Sequence, residues 1–116
     1  MRASVCPLST DAHFQIHPDP NARTHCAQHP AWQKHLAERI TAVAREVGAA
    51  AVYLDEFGLG GARRCYSVRH GHTPGATSTP GEIAMAGQVR RTLDEAGLKD
   101  VAIYFEYSPV DALAGP

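Results

Sequence analysis

Two carboxylates follow the two most apolar runs of the sequence. Asp55 ends the run at 50–54, and Glu106 ends the run at 101–105. Near-continuous apolar runs of this length are typical of parallel strands that are buried on both faces. If the two strands are neighbours, their backbones lie ~4.8 Å apart and both carboxylates face one pocket. Paired carboxylates can divide the roles of acid and of nucleophile or base, as in glycoside hydrolysis.

The residues that precede the two carboxylates are similar in the two apolar runs. The segment VYLD at 52–55 aligns with IYFE at 103–106, so Tyr53 and Tyr104 occupy equivalent positions. We predict Asp55 and Glu106 as catalytic residues above a floor formed by the two tyrosines. Glu56 points to the opposite face by strand alternation and is predicted to support substrate binding. The alternative is that each acidic residue only marks the point where a strand leaves the core.

Seven histidines are many for a chain of this length, and most lie in the segments 7–29 and 57–79. In the segment HGH, His70 and His72 can hydrogen-bond sugar hydroxyls, and we predict them as substrate-binding residues. Two alternatives stay open. The pair can hold a metal with Asp55 or Glu106 as a further ligand, or the segment can be an exposed turn.

The three cysteines, Cys6, Cys26 and Cys65, are too few and too scattered for a disulfide framework. The spacing Cys26-x-x-His29 resembles half of a zinc site, but no second half follows at a suitable spacing. A Cys65–His70 dyad lacks an evident orienting residue. We therefore predict no metal and no cofactor, with reduced thiols and a cytoplasmic location.

Composition limits the classes of partner. The chain has 116 residues, a net charge of −1 and 44% apolar residues, which is ordinary for one globular domain. There is no run of like charges, so binding to nucleic acid or to a membrane surface is not expected. No apolar stretch approaches the ~18 residues of a membrane span. We expect one domain over residues 1–116.

Two helices are predicted to position the strands. The first, at 30–47, begins with a proline and ends at Gly48; the second, at 80–97, follows a capping-box spacing from Thr79 to Glu82 and ends at Gly97. Their apolar stripes consist of Trp32, Leu36, Ile40, Val43 and Val47 in the first helix and of Ile83, Ala86, Val89 or Arg90, Leu93 and Ala96 in the second.

Strands are predicted at 3–6, 50–55 and 101–107, so strands and helices alternate. This order predicts an α/β fold with parallel strands and crossover helices. The strand-to-helix segments at 7–29 and 57–79 are far longer than the ~12–15 residues beyond which loops become uncommon. Ligands of parallel α/β proteins bind at the carboxyl ends of the strands, where these loops lie.

Several short motifs resemble one family. The segment YLDEFG at 53–58 resembles a strand end of glycoside-hydrolase-like (β/α)₈ barrels related to α-galactosidase-type enzymes. The segments CY at 65–66, HGH at 70–72, YFEY at 104–107 and PVD at 109–111 are similar to one branch of that group, and so is the helix that contains Trp32. The resemblance extends from about residue 30 to residue 111.

The resemblance implies a carbohydrate-active protein in which Asp55 and Glu106 end neighbouring barrel strands. A complete TIM barrel needs ~250 residues, so this chain would supply about two and a half βα units, a partial barrel. We expect one sheet face to stay uncovered, and whether the chain is active alone stays open. The alternatives are a metal-dependent hydrolase that uses His70 and His72, and a non-catalytic fragment that assembles with its own copies or with a complementary barrel fragment.

Overall fold

The computed structural model of the protein describes residues 25–55 and 64–106. Their elements follow in the order α1 (Pro30–Val47), β1 (Ala51–Leu54), β2 (Arg64–Cys65), β3 (Ala76–Thr77), α2 (Thr79–Glu95) and β4 (Ala102–Phe105). The described part is therefore a small α/β structure. The strand predicted at 3–6 lies outside the described residues.

β1 and β4 form a parallel pair, as predicted, although both strands are shorter than the predicted ranges 50–55 and 101–107. Ala51 is opposite Ala102, and Tyr53 is opposite Tyr104. The amide of Glu106 donates to the carbonyl of Leu54 at 3.2 Å, which extends the ladder past the last paired residues. These strands do not close a barrel within the part of the chain that the structure describes.

The prediction that both faces of this sheet are buried is wrong. Val52 and Ile103 face the helices and pack against the core cluster. This cluster consists of Ala37, Ala44, Val89, Leu93 and Val101. Tyr53 and Tyr104, which point the opposite way, are each 59% exposed. Alternation places Asp55 and Glu106 on the same exposed face as the tyrosines. The exposed face agrees with the expectation that a partial barrel leaves one side of its sheet uncovered.

The predicted apolar stripe of α1 is only partly correct. Its buried residues are Ala37, Thr41 and Ala44, whereas Val43 and Val47 are exposed. Small side chains at the contact let α1 lie close to α2, whose Val89 and Leu93 are fully buried in the same cluster. The residues of α1 that are buried are therefore the small ones at the close contact with α2, and not the large apolar ones.

The glycine predicted to terminate each helix is present, although α2 ends at Glu95 rather than at 97, and the two ends share one hydrogen-bond pattern. Gly48 and Gly97 adopt left-handed conformations, with φ of 62° and 80°. The amide that follows each glycine donates to a carbonyl five residues earlier: Ala49 to Ala44 and Leu98 to Leu93, both at 2.9 Å. This is the Schellman motif, in which glycine avoids the steric cost of a Cβ.

The start of α2 differs from the predicted capping box. The helix begins at Thr79, one residue before the predicted start at 80. Its N-cap is Ser78, which makes no side-chain capping hydrogen bond. The amide of Glu82 instead donates to the carbonyl of Ser78 at 2.9 Å, and the Glu82 side chain is buried. Thr79 is already helical, and a threonine inside the helix cannot serve as its cap.

The side chain of Arg90 joins α2 to the turn before β4. Its guanidinium donates to the carbonyls of Val101 at 2.6 Å and Leu98 at 3.0 Å, and it pairs with Asp94 at 2.7 Å. These contacts satisfy carbonyls that lie beyond the last helical hydrogen bonds. Arg90 therefore anchors the turn that leads into β4.

Candidate functional site

The carboxylate pair lies at the carboxyl edge of the parallel sheet. Leu54 pairs with Phe105, so the same register places Asp55 opposite Glu106 at the ends of β1 and β4. Neighbouring strands are ~4.8 Å apart, which brings the two side chains to one exposed edge. Both residues are exposed. Glu56, predicted to support substrate binding, lies outside the described residues.

His70 and His72 do not lie together as an exposed pair. His70 is 4% exposed, and its Nδ1 is 3.2 Å from the Sγ of Cys65. The Nε2 of His72 is 3.1 Å from the Sγ of Cys26. The burial of His70 is unfavourable for direct contact with a sugar, whereas His72 is partly exposed. Each histidine therefore faces a cysteine thiol.

The two cysteine–histidine pairs form one cluster. One donor atom from each of Cys26, Cys65, His70 and His72 lies within 4.8 Å of every other. Both cysteines are buried thiols. Within residues 25–55 and 64–106, this group of potential metal ligands includes neither Asp55 nor Glu106. We call these four residues the Cys/His cluster.

Local backbone structure brings the later three residues of the Cys/His cluster together. Cys65 lies in β2, which pairs with β3 in a short antiparallel ladder that the sequence analysis assigned to a loop. The Cys65 carbonyl accepts from the amide of Gly75 at 2.7 Å. Gly71, between the two histidines, has a φ of 77°, a conformation that favours glycine. The hairpin thus returns His70 and His72 towards Cys65.

Cys26 belongs to the turn before α1 and lies against the β2–β3 hairpin. It begins a turn in which the amide of His29 donates to the carbonyl of Cys26 at 3.0 Å. The side-chain amide of Gln28 donates to the carbonyl of Thr77 in β3 at 2.8 Å and joins this turn to the hairpin. The ring of His29 packs edge-on against His70, with ring centroids 4.8 Å apart.

The environment of His72 defines which nitrogen faces the thiol. Its Nδ1 is 2.9 Å from the carbonyl of Thr73, which can only accept, so Nδ1 carries a proton. Burial lowers the pKa of His72, but the hydrogen bonds to Thr73 and Cys26 outweigh burial and raise the pKa above its usual value. In the neutral ring, the Nε2 lone pair points at Cys26.

A stack of aromatic side chains includes His25, the neighbour of Cys26 in the sequence. His25 stacks on Trp32 with ring centroids 3.8 Å apart, and the exposed His35 lies on the same indole at 5.7 Å. Partial burial lowers the pKa of His25, and the nearby charge of His35 adds to the effect. A neutral His25 can keep its close stacking on Trp32.

The spacing in the sequence pairs Cys26 with His29 and offers no second half of a zinc site. In the structure Cys26 belongs instead with Cys65, His70 and His72. Cys26 and Cys65 are separated by all of α1 and β1, so their convergence depends on tertiary structure. Two local patterns pointed to part of the cluster: the spacing His-x-His and the pair of Cys65 with His70, which lie in contact at 3.2 Å.

The described residues thus define a small α/β protein with a parallel strand pair and a separate Cys/His cluster. Neither of its described helices is both long and apolar enough to cross a membrane. Residues 8–92 match the family model described as a domain of unknown function, DUF6259. The chain belongs to this family. No match was found among curated proteins or among solved structures.

Proposed function

We propose that this chain forms part of a glycoside-hydrolase-like (β/α)₈ barrel and acts on a glycosidic substrate through Asp55 and Glu106. The observation that supports this proposal is the in-register parallel pairing of β1 and β4. Active sites of TIM-barrel enzymes lie at the carboxyl ends of the strands, on residues that end different strands. Asp55 and Glu106 have this placement.

The exposed tyrosines support a carbohydrate as the substrate. Tyr53 and Tyr104 are paired across the two strands, and each leaves more than half of its surface exposed. Two adjacent aromatic rings provide a flat apolar surface with hydroxyl groups at its edge. A sugar ring also combines apolar C–H faces with polar hydroxyls, so it complements this surface beside the carboxylates.

The chemistry needs one carboxyl group on each side of the scissile bond. Glu106 donates a proton to the leaving oxygen, while Asp55 either attacks the anomeric carbon or activates a water molecule. A separation of ≈ 5–5.5 Å gives the covalent, retaining route, and ≈ 6.5–9.5 Å leaves room for the water of the inverting route. The substrate would approach from the exposed face of the sheet.

A metal-dependent hydrolase is less well supported. That hypothesis uses His70 and His72 with Asp55 as metal ligands. The structure groups the two histidines with two thiols instead. Four protein ligands from cysteine and histidine are typical of closed structural sites, whereas catalytic zinc keeps one position open for water or substrate.

A non-catalytic segment that assembles with its own copies or with a complementary barrel fragment is the third possibility. The exposed tyrosine face favours it, because barrel strands present that face to a closed interior. Assembly would supply the missing cover and would fit the proposed cytoplasmic location, where the buried thiols stay reduced.

The test is hydrolysis of a panel of 4-nitrophenyl glycosides, beginning with the α-galactoside, by the full chain. We expect turnover with at least one glycoside and a loss of ~10²–10⁴-fold in kcat for D55N and for E106Q. The matched control is E95Q, an exposed carboxylate at the end of α2, which should keep the wild-type rate. Light scattering reports the oligomeric state of the same samples.

Two results would overturn the catalytic proposal. One is the absence of turnover by a protein that unfolds cooperatively. The other is equal loss of activity in E95Q and in the two site variants. A chain without activity that forms a defined oligomer through the tyrosine face, and becomes monomeric in a Y53S/Y104S double variant, would establish the assembly alternative.

A further inference from the structure

We propose that Cys26, Cys65, His70 and His72 bind one Zn²⁺ ion in a structural site that joins the turn before α1 to the β2–β3 hairpin. This site is separate from the carboxylate pair and does not depend on the proposed hydrolysis. It assigns a role to the buried thiols and histidines that substrate binding leaves unused.

The distances within the Cys/His cluster fit a tetrahedral ion after a small adjustment. Tetrahedral zinc has Zn–S bonds of about 2.3 Å and Zn–N bonds of about 2.0–2.1 Å, which separates a sulfur ligand from a nitrogen ligand by roughly 3.6 Å. Two sulfur–nitrogen contacts are 3.1 and 3.2 Å. All donor atoms lie within 4.8 Å of one another. Side-chain rotations that move the donor atoms by about 1 Å are enough to let these atoms surround an ion.

The hydrogen bond from His72 to Thr73 prepares the ring for a metal. A histidine that ligates a metal almost always donates its other ring N–H to a carbonyl, a carboxylate or a water molecule. The Nδ1 of His72 has this contact with the Thr73 carbonyl at 2.9 Å. Its Nε2 is then the lone-pair donor, and this is the nitrogen that faces Cys26.

The types of ligand select the class of metal. Thiolates and imidazoles favour zinc and other soft or borderline ions, whereas magnesium and calcium need oxygen ligands. Two thiolates balance the charge of one Zn²⁺ ion, so the buried site would be neutral. Four protein ligands leave no open position, which makes this zinc structural rather than catalytic.

Several polar contacts already hold the two halves of the site in place. Gln28 binds the carbonyl of Thr77, and Arg64 binds the carbonyl of Gly75 at 2.9 Å. Ligands that are positioned by the fold lose little conformational freedom when the metal binds. The ion would therefore fasten a preformed junction between α1 and the segment that leads into α2.

The first measurement is the metal content of the full chain, purified under reducing conditions with zinc in the growth medium. We expect about one zinc per chain by elemental analysis, and a blue or green Co²⁺ form with the absorption of tetrahedral thiolate ligation. Added zinc should raise the Tm of chelator-treated protein in a concentration-dependent manner.

The second measurement compares single variants by zinc competition with a coloured chelator. C26S, C65S, H70Q and H72Q should each lower the zinc affinity by at least ~100-fold, because even changes outside the ligand shell cost 10–100-fold. H35Q is the matched control, since His35 is an exposed imidazole on α1 that is not part of the cluster. It should keep the wild-type affinity.

The proposal is overturned if folded wild-type protein takes up less than a tenth of an equivalent of zinc and added zinc leaves its Tm unchanged. This result would mean that the two cysteine–histidine contacts are ordinary hydrogen bonds of a buried cluster. Equal loss of zinc from H35Q and from the cluster variants would also overturn it. If the cluster variants do not fold, the Co²⁺ spectrum and the Tm shift of the wild type decide the question.

Discussion

Replacing Gly81 with alanine should separate steric exclusion from helix propensity in the first turn of α2. A Cβ at this position would lie 2.4 Å from the carbonyl carbon of Ala27 and 2.5 Å from the backbone nitrogen of Gln28. Ordinary carbon–carbon contacts are ≈ 3.5–4.0 Å, so the backbone of the turn at 27–28 must move by about 1 Å. The fold therefore depends on glycine here because of close packing, not because of its φ.

The magnitude follows from two opposing terms. Alanine within a helix is favoured over glycine by ≈ 0.8–1.0 kcal/mol. Overpacking that shifts backbone costs typically 1–3 kcal/mol, and here the obstacle is rigid main chain. Subtracting the propensity gain from the packing cost, we expect G81A to lower the free energy of unfolding by up to ~2 kcal/mol. The matched control is G87A in the same helix, where the added Cβ would meet only the flexible end of Arg91 at 3.2 Å. G87A should be neutral or stabilising by up to ~1 kcal/mol.

Urea unfolding followed by circular dichroism measures both variants in one buffer. The expected gap between them is ~1–3 kcal/mol, which is the packing cost alone because both variants gain the same helix propensity. Because Ala27 follows Cys26 directly, G81A should also weaken zinc binding more than G87A does. If G81A is as stable as G87A, the close approach of α2 to the turn at 27–28 is not a feature of the folded protein and the reasoning is refuted.

Three further tests, two of them with a comparison variant, probe the elements that hold β1 and β4. R90K should lower the free energy of unfolding by ~1.5–3 kcal/mol in urea titrations, because lysine cannot keep the contacts to two carbonyls and Asp94. An unchanged midpoint of the urea transition would contradict this expectation. G48A should cost ~1–2 kcal/mol through its left-handed φ, with open space around it, and G48N should recover part of this loss. L93A should lower the free energy of unfolding by ~2–5 kcal/mol, whereas V47A, at an exposed site, should change it by less than ~0.5 kcal/mol. Similar losses in the two variants would show that Leu93 is not a core residue.

The helices could be predicted from the sequence because their determinants are local. The range predicted for α1 agrees with Pro30–Val47, and a left-handed glycine follows each helix as expected, although α2 ends at Glu95 rather than at 97. The parallel order of β1 and β4 followed from the alternation of strands and helices. The apolar stripe of α1 was misjudged because large side chains carry the periodic pattern, whereas the close helix contact selects small ones.

Features that depend on distant residues could not be predicted. The strands β2 and β3 have two residues each, too few for a period-two pattern to be recognised. The Cys/His cluster unites residues from both sides of α1, and no spacing rule covers that separation. The expected partial barrel and its glycosidic substrate stay proposals, because the described residues contain one parallel strand pair and the matched family has no stated function.

β1 and β4 are neighbours in the sheet but far apart in the sequence, and this has a consequence for the order of folding. Each strand follows its own helix after a short turn, so α1–β1 and α2–β4 can form as local units. Pairing Ala51 with Ala102 must close a loop of roughly 50 residues, whose entropic cost precedes any contact between the strands. Docking of the two units is then the late step. We expect substitutions at Val52 or Ile103, which meet only after docking, to accelerate unfolding while leaving the folding rate nearly unchanged.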